Sequence, residues 1–318
     1  MKKYFYLNVV VLVMLIIAIG LSLPVIAKAA SYPRKPIVWI IPVGPGGTFD
    51  LFARVLSQYL PKYLPNKVNV VVKNMPGAGG LNGAGHLFRA KPDGYTIGYI
   101  MYPGITVLAM ESNIGFDPDL SVPIAQISAD PQAIFVSAKS NLKTLADLQA
   151  KDPLRIVTIA KGVTMYSFSV ITGEAFNLKY KMVTGYSGGA SVATGLMRGD
   201  GDMAVLMLNN YYRFVKSGDL RVVVTLTDKR HPLTPDIPSA TELGGSLSTV
   251  CKSWKVVFAP PGLPDKLTKI IRNAFNQALN DPKFLAWSVK ANKPISYLDG
   301  PAAWKGLQDV FPVYKKYR

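Results

Sequence analysis

The sequence predicts an α/β protein of two similar lobes, and three observations carry that prediction. Short apolar runs rich in β-branched residues alternate with stretches of helical period, the pattern of a mostly parallel sheet. Several of those runs end in a glycine-containing loop that opens a helix. The strand-loop-helix unit then occurs in two separate groups, at 37–88 and again at 155–198.

In chain order, 37–41 is an unbroken apolar strand, 42–50 a loop with three glycines, and 51–63 an amphipathic helix. Residues 68–72 form a second strand and 74–80 its glycine loop, while the spacing of Leu81, Ala84, Leu87 and Phe88 marks the next helix. A third strand covers 95–102, with Tyr102-Pro103-Gly104 as its loop and a turn at 116–119. The apolar run from Val122 to Val136 reaches Ser137, where the chain crosses into the second group. Thr144 caps a short helix over 141–149, with Asp147 in its first turn.

The second group repeats the first: strand 155–160, loop 161–166, helix 167–176; strand 181–184, loop 185–189, helix 190–198. Residues 203–208 form another strand, 221–226 carry the chain back, and 256–258 rejoin the first sheet. Pro264 opens a last long helix to Leu279, with Pro282 beyond its end. The expected lobes are therefore 32–135 with 230–318, and 136–229.

The loops read as backbone cradles. Glycine lets the main chain approach a ligand closely and adopt positive φ without steric cost. Each loop also delivers unpaired N–H groups to a helix N-terminus, where the peptide dipoles favour an anion. Neither of the first two loops has lysine or arginine at its tip, so the bound group would be held by N–H donors, which suits a carboxylate at least as well as a phosphate. A crevice between the lobes would gather both sets of loops at the carboxyl ends of the strands.

At this point a family resemblance becomes specific. Tyr-Pro-x-Lys-Pro-Ile from Tyr32, Pro-x-x-Pro-Gly-Gly-Thr-x-Asp from Pro42 to Asp50, Asn-x-Pro-Gly-Ala-Gly-Gly from Asn74 to Gly80 and Lys-Pro-Asp-Gly-Tyr-Thr from Lys91 follow in order. Downstream come Gly188-Gly189-Ala190 through Asp202, and Trp254 through Pro264. Together they resemble the extracytoplasmic solute receptors of tripartite tricarboxylate transporters, the Bug or TctC-like family. The resemblance runs from about Tyr32 to the C-terminus. It implies a two-lobe periplasmic binding protein of type II, the Venus-flytrap fold, with its ligand cleft between the lobes.

Residue by residue, it implies main-chain donors from Gly46, Gly47 and Thr48 in one lobe and from Gly162, Val163 and Thr164 in the other. Val43, Gly77, Ala78, Gly79, Ser187 and Gly188 join the expected site from neighbouring loops. Asp50 matches the acid of the family's first loop; it caps the helix, orients the loop, or accepts a hydrogen bond from a ligand hydroxyl or amine. The chain also departs from the family. The loop from Gly162 to Ser169 differs from the usual Gly-x-Gly-Ser/Thr-x-x-His, and Leu206-Met207 stands where many members have Asp-Asn. Losing that carboxylate and amide predicts a more apolar far wall. With Phe49, Tyr102, Met165, Tyr166 and Met207, it suggests a ligand with one carboxylate and an apolar or aromatic remainder. Core packing is the alternative for these side chains, with Phe49 and Tyr166 the two expected to escape it.

At 318 residues, 49% hydrophobic and 17% charged, the chain has enough apolar surface for a large core, which excludes a disordered protein. Residues 1–30 read as a secretory signal, with Lys2 and Lys3, an apolar stretch over 4–26, and a small-x-small site at Ala27-Lys28-Ala29. An uncleaved N-terminal anchor is the alternative. Removing the signal takes three lysines and no acids, so the net charge falls from +17 to 33 − 19 = +14. Such a surface draws anionic solutes. The positive residues are scattered and the address is exported, which argues against nucleic acid. Cys251 is the sole cysteine and there are two histidines, too few for a disulfide or a Cys/His metal cluster. No metal and no cofactor is expected. The expected partners are a small carboxylate ligand and membrane transporter subunits, with the receptor a monomer in the periplasm.

Two other readings stand beside capture and delivery. The same closure would serve a ligand sensor feeding a signalling partner. Gly185-Tyr186-Ser187-Gly188-Gly189 also fits Gly-x-Ser-x-Gly, with Asp202 or Asp219 and His231 in hydrolase order, but His231 lies in a turn-like stretch and no oxyanion loop precedes the serine. The sequence is therefore read as a receptor and not an enzyme.

Overall fold

The computed structural model describes residues 32–105, 108, 113–161 and 163–316. The expected signal segment and Gly162 lie outside the described residues.

The first unit is β1 (Ile37–Ile41), α1 (Thr48–Tyr63), β2 (Val70–Asn74), α2 (Leu81–Phe88) and β3 (Thr96–Tyr99). β1 lies between β2 and β3, parallel to both. Helices cover both faces of a parallel sheet, so β1 is apolar throughout rather than alternating. On one face α1 buries Phe52, Leu56 and Leu60 against Trp39, whose ring lies 5.2 Å from Phe275. Each such side chain contributes about 1.5–3 kcal/mol by leaving water.

β4 (Val122–Ser137) is the strand the whole molecule shares. Its first part, from Val122 to Pro131, pairs antiparallel with β9 (Lys252–Ala259), which also borders β3. From Gln132 onward it pairs instead with β7 (Ala204–Met207) and β8 (Leu220–Thr225). The change of partners falls at Pro131–Gln132, ahead of the Ser137 expected from sequence, because the apolar run continues unbroken as one strand through both halves. The second unit adds α3 (Leu145–Ala150), β5 (Leu154–Val157), α4 (Thr164–Ala175), β6 (Tyr180–Val183) and α5 (Gly189–Arg198). β5 and β6 are parallel, and the Ile156–Met203 bridge ties β5 to the start of β7. Thr144 and Asp147 form the expected cap of α3, each accepting a backbone N–H of the other's end.

Three helices were not foreseen: α6 (Leu208–Lys216), α8 (Pro282–Lys290) and α9 (Gly300–Lys316), the last two following α7 (Asp265–Leu279). Pro282 does not merely end α7; it opens α8, with Asp281 accepting the Lys283 N–H as cap. α9 follows the two-residue strand β10 (Leu298–Asp299), which pairs with β4. It packs Ala303, Leu307 and Phe311 beside Tyr102 and Phe258, and its last turn sends Tyr314 into the second core beside Phe168. The stretch after β8 likewise stays on the second core through Ala240 and Cys251 before β9 begins.

Where β4 changes partners, Lys255 and Asp130 form a buried ion pair. Lys255 is fully buried, its ammonium over the rings of Phe49 and Phe52 at 5.2 and 5.7 Å. Asp130→Ala would leave that charge uncompensated and is expected to cost about 3–5 kcal/mol in urea unfolding. A loss under about 1 kcal/mol would show the pair to be incidental.

Candidate functional site

The helices begin earlier than their hydrophobic period suggests. α1 starts at Thr48 and α4 at Thr164, each three residues ahead of expectation. Thr48, Phe49 and Asp50 thus occupy a first helical turn, as do Thr164, Met165 and Tyr166. First-turn N–H groups have no carbonyl partner within their helix. In α4 the first bonds back to Val163 come from Tyr166 and Ser167, which leaves the Thr164 and Met165 N–H groups without a carbonyl partner among the described residues.

Asp50 organises the first loop. It is 3% exposed, and its Oδ2 accepts the Gly46 N–H and the Arg54 Nε, both at 2.9 Å. Its Oδ1 accepts the Asn74 amide at 2.9 Å, and that amide also reaches the Val43 carbonyl at 3.0 Å. Asn74 ends β2, so the acid locks the first two glycine loops together. Gly46 has φ +86°, a conformation strained for any side chain, which the loop needs in order to turn its N–H back to Asp50. Of the three roles expected for Asp50, orienting the loop is the one its contacts perform. Burial raises its pKa, but the bonds from Arg54, Gly46 and Asn74, with the Arg54 charge, outweigh that and hold it below the ordinary carboxylate value.

Two contacts bring the lobes together at these loops. Asn210, in the first turn of α6, donates through Nδ2 to the Thr48 hydroxyl at 2.6 Å. Gly104 lies so close to the start of α4 that a Cβ there would sit 2.8 Å from the Thr164 nitrogen. The α1 end therefore contacts the second lobe through Asn210 of α6, and the α4 end contacts the first lobe through Gly104. α5 joins the α4 end, since a Cβ on Gly189 would lie 3.3 Å from the Met165 methyl. Gly77, Ala78 and Gly79 stand exposed at the start of α2. Open hollows of about 250 and 490 Å³ lie elsewhere, around Arg155 and Asp202 and around Lys35 and Lys91, and touch none of these loops.

Several expected site residues do other work. Phe49 is buried, its ring 5.1 Å from Tyr99, so it belongs to the first core despite its place beside the loop. Tyr102 is buried among Phe258, Trp304 and Phe311, and its hydroxyl donates to Asp119. The Gly188 N–H is taken by the Ser191 hydroxyl, which closes the first turn of α5. Val163, Tyr166 and Met207 stay half-buried. The expected apolar far wall is also corrected: Asn210 lies against Met207, its amide 3.7 Å from the sulfur, and restores a polar group beside the position where Asp-Asn is missing. Asn210 went unforeseen with α6, whose signal was the spacing of Leu208, Tyr211, Tyr212 and Val215.

No hydrolase triad forms. Ser187 is exposed beside the Ser191 hydroxyl, Asp202 is held by Arg155, and His231 Nδ1 accepts the Leu233 N–H.

This fold, two lobes that share one strand and carry glycine loops at helix ends, is the architecture of two-lobe solute-binding proteins. Residues 52–299 match the model of the tripartite tricarboxylate transporter family receptor, TctC, and the chain belongs to that family. It is 30% identical to an uncharacterised-family (UPF0065) protein of Bordetella bronchiseptica over 271 residues, 84% of this chain and 79% of that one. Its fold is that of the periplasmic binding protein BugD (TM-score 0.75, 24% identity, covering 90% and 97% of the two chains). MatC of Rhodopseudomonas palustris, solved with bound malate, is similarly close (TM-score 0.74, 21% identity, 89% and 100%). The protein is thus a solute receptor, not an enzyme. Among the described residues no helix is long and apolar enough to cross a membrane.

The Asp50 network makes a pH prediction. A depressed carboxylate contributes stability that is present above its unfolded pKa of about 3.9 and lost as pH falls through the folded value. Asp50→Asn should cost about 1–3 kcal/mol at pH 7, and the gap to wild type should close as pH falls below about 4. Urea midpoints across that range check it; a gap constant with pH would show that the carboxylate charge does not matter.

Proposed function

We propose that the protein captures a small organic acid, mono- or dicarboxylic, between its lobes and delivers it to a tripartite tricarboxylate-type membrane transporter. The observation that carries this reading is that the N-termini of α1 and α4 each contact the opposite lobe, through Asn210–Thr48 and Gly104–Thr164. A carboxylate placed there would draw on the N–H groups of Gly47 and Thr48 from one lobe and of Thr164 and Met165 from the other, the Gly46 N–H being held by Asp50 and the Val163 N–H by the Ala160 carbonyl. Each charge-assisted bond contributes about 1.5–3 kcal/mol. Several of them supply the roughly 5.5 kcal/mol of differential binding that turns a 1:99 open–closed equilibrium into 99:1. The malate bound to MatC is consistent with this ligand class.

The lobes that close follow the expected 32–135 with 230–318 and 136–229 with two changes: 132–135 pair with the second lobe's strands and 239–251 packs on its core, so the crossings lie where β4 changes partners and between β8 and β9. The receptor works as a monomer, without nucleic acid, after loss of residues 1–30. Sequencing the protein recovered from the periplasm should give an N-terminus at Ala30 or Ser31; an intact Met1 would show an anchor instead.

A thermal-shift screen of mono-, di- and tricarboxylates tests the ligand class. At one hundred times Kd an acid should stabilise the protein by about 2.7 kcal/mol. A panel that leaves the melting temperature unchanged throughout would remove the carboxylate reading.

A further inference from the structure

Lys293 lies between α8 and β10, far in sequence from the glycine loops, yet its ammonium is two hydrogen bonds from the mouth of α1. Its Nζ donates to Asn210 Oδ1 at 2.5 Å, and Asn210 Nδ2 donates to the Thr48 hydroxyl at 2.6 Å. Asn210 is neutral and supplies no counter-charge. The nearby acid, Asp130, is already engaged by the fully buried Lys255 and by the Ser128 hydroxyl. Lys255 and Arg213 add positive charge around Lys293. Burial lowers the Lys293 pKa, Asp130 works against that, and Lys255 and Arg213 reinforce it. An ammonium in this setting is stabilised by an added anion. It has three N–H donors, and Asn210 is its one hydrogen-bond partner among the described residues.

We propose that Lys293 is a specificity-determining residue of the cleft: it binds the second carboxylate of a dicarboxylate whose first carboxylate lies at the α1 and α4 ends. The inference rests on the carboxylate reading above and narrows it to diacids. It also replaces the apolar remainder expected from sequence, since Phe49 and Tyr102 are committed to the core while Asn210 and Lys293 are linked to Thr48 by hydrogen bonds. A purely structural role, tying the 291–297 stretch to α6, is the competing account.

Calorimetry on the full-length mature protein separates the two, using acids of equal chain length: succinate with butyrate, and adipate with hexanoate. Wild type should bind the better diacid at least tenfold more tightly than its monoacid. Lys293→Met should lose at least tenfold in affinity for that diacid while its monoacid affinity stays within about twofold, which also shows the variant folded. Lys293→Arg should retain a preference for the diacid. Equal losses for both acids, or no loss for either, would overturn the role of Lys293 while leaving carboxylate capture intact. Wild type binding no acid in the panel would overturn carboxylate capture and this inference with it.

Discussion

The structure turns on a single strand and the ion pair at the point where it changes partners. β4 belongs to both sheets, pairing with β9 up to Pro131 and with β7 and β8 from Gln132. Just there, Lys255 and Asp130 are withdrawn from water under Phe49 and Phe52 of α1. Taking two charges out of water is favourable only when each holds the other closely, so the pair ties β9 to β4 while the Phe49 and Phe52 rings of α1 cover its ammonium. The same strand carries the second lobe. The first turns of α1 and the point where β4 passes between the lobes thus lie close to one buried interaction.

From that anchor the site follows by short steps. α1 points its first turn toward the second lobe, and Asp50, the acid one might assign to the ligand, is consumed in holding Gly46, Arg54 and Asn74. What remains for a bound anion is main-chain N–H, helix dipole and the cations behind Thr48. This division has a physical logic. A carboxylate facing the ligand would repel an acid, whereas a carboxylate spent on the loop behind it stiffens the donors and leaves the net field positive.

Much of this was legible in the sequence, and the reasons for the exceptions are specific. The parallel β1–β3 unit and the glycine loops announce themselves through unbroken apolar runs and through glycines at places where only backbone can serve. Thr48 and Thr164 read as loop residues because amphipathic period sets in one turn after a helix begins, its first turn being shaped by capping rather than by burial. Phe49 misleads for the same reason: its neighbours are threonine and acid, and only the tertiary approach of Tyr99 and Lys255 makes it core. Asn210 and Lys293 were not visible at all. Asn210 meets Thr48 across 162 residues of chain and Lys293 meets Asn210 across 83, contacts that no local pattern encodes.

The central claim is that peptide N–H groups from both lobes converge on a single acidic group. Selective ¹⁵N labelling of threonine, followed by titration with an acid that calorimetry shows to bind, reads it directly from the amide resonances of Thr48 and Thr164. The account predicts that both shift together along one binding curve with the calorimetric Kd. Movement of one with the other stationary, or neither moving while the ligand binds, would contradict it.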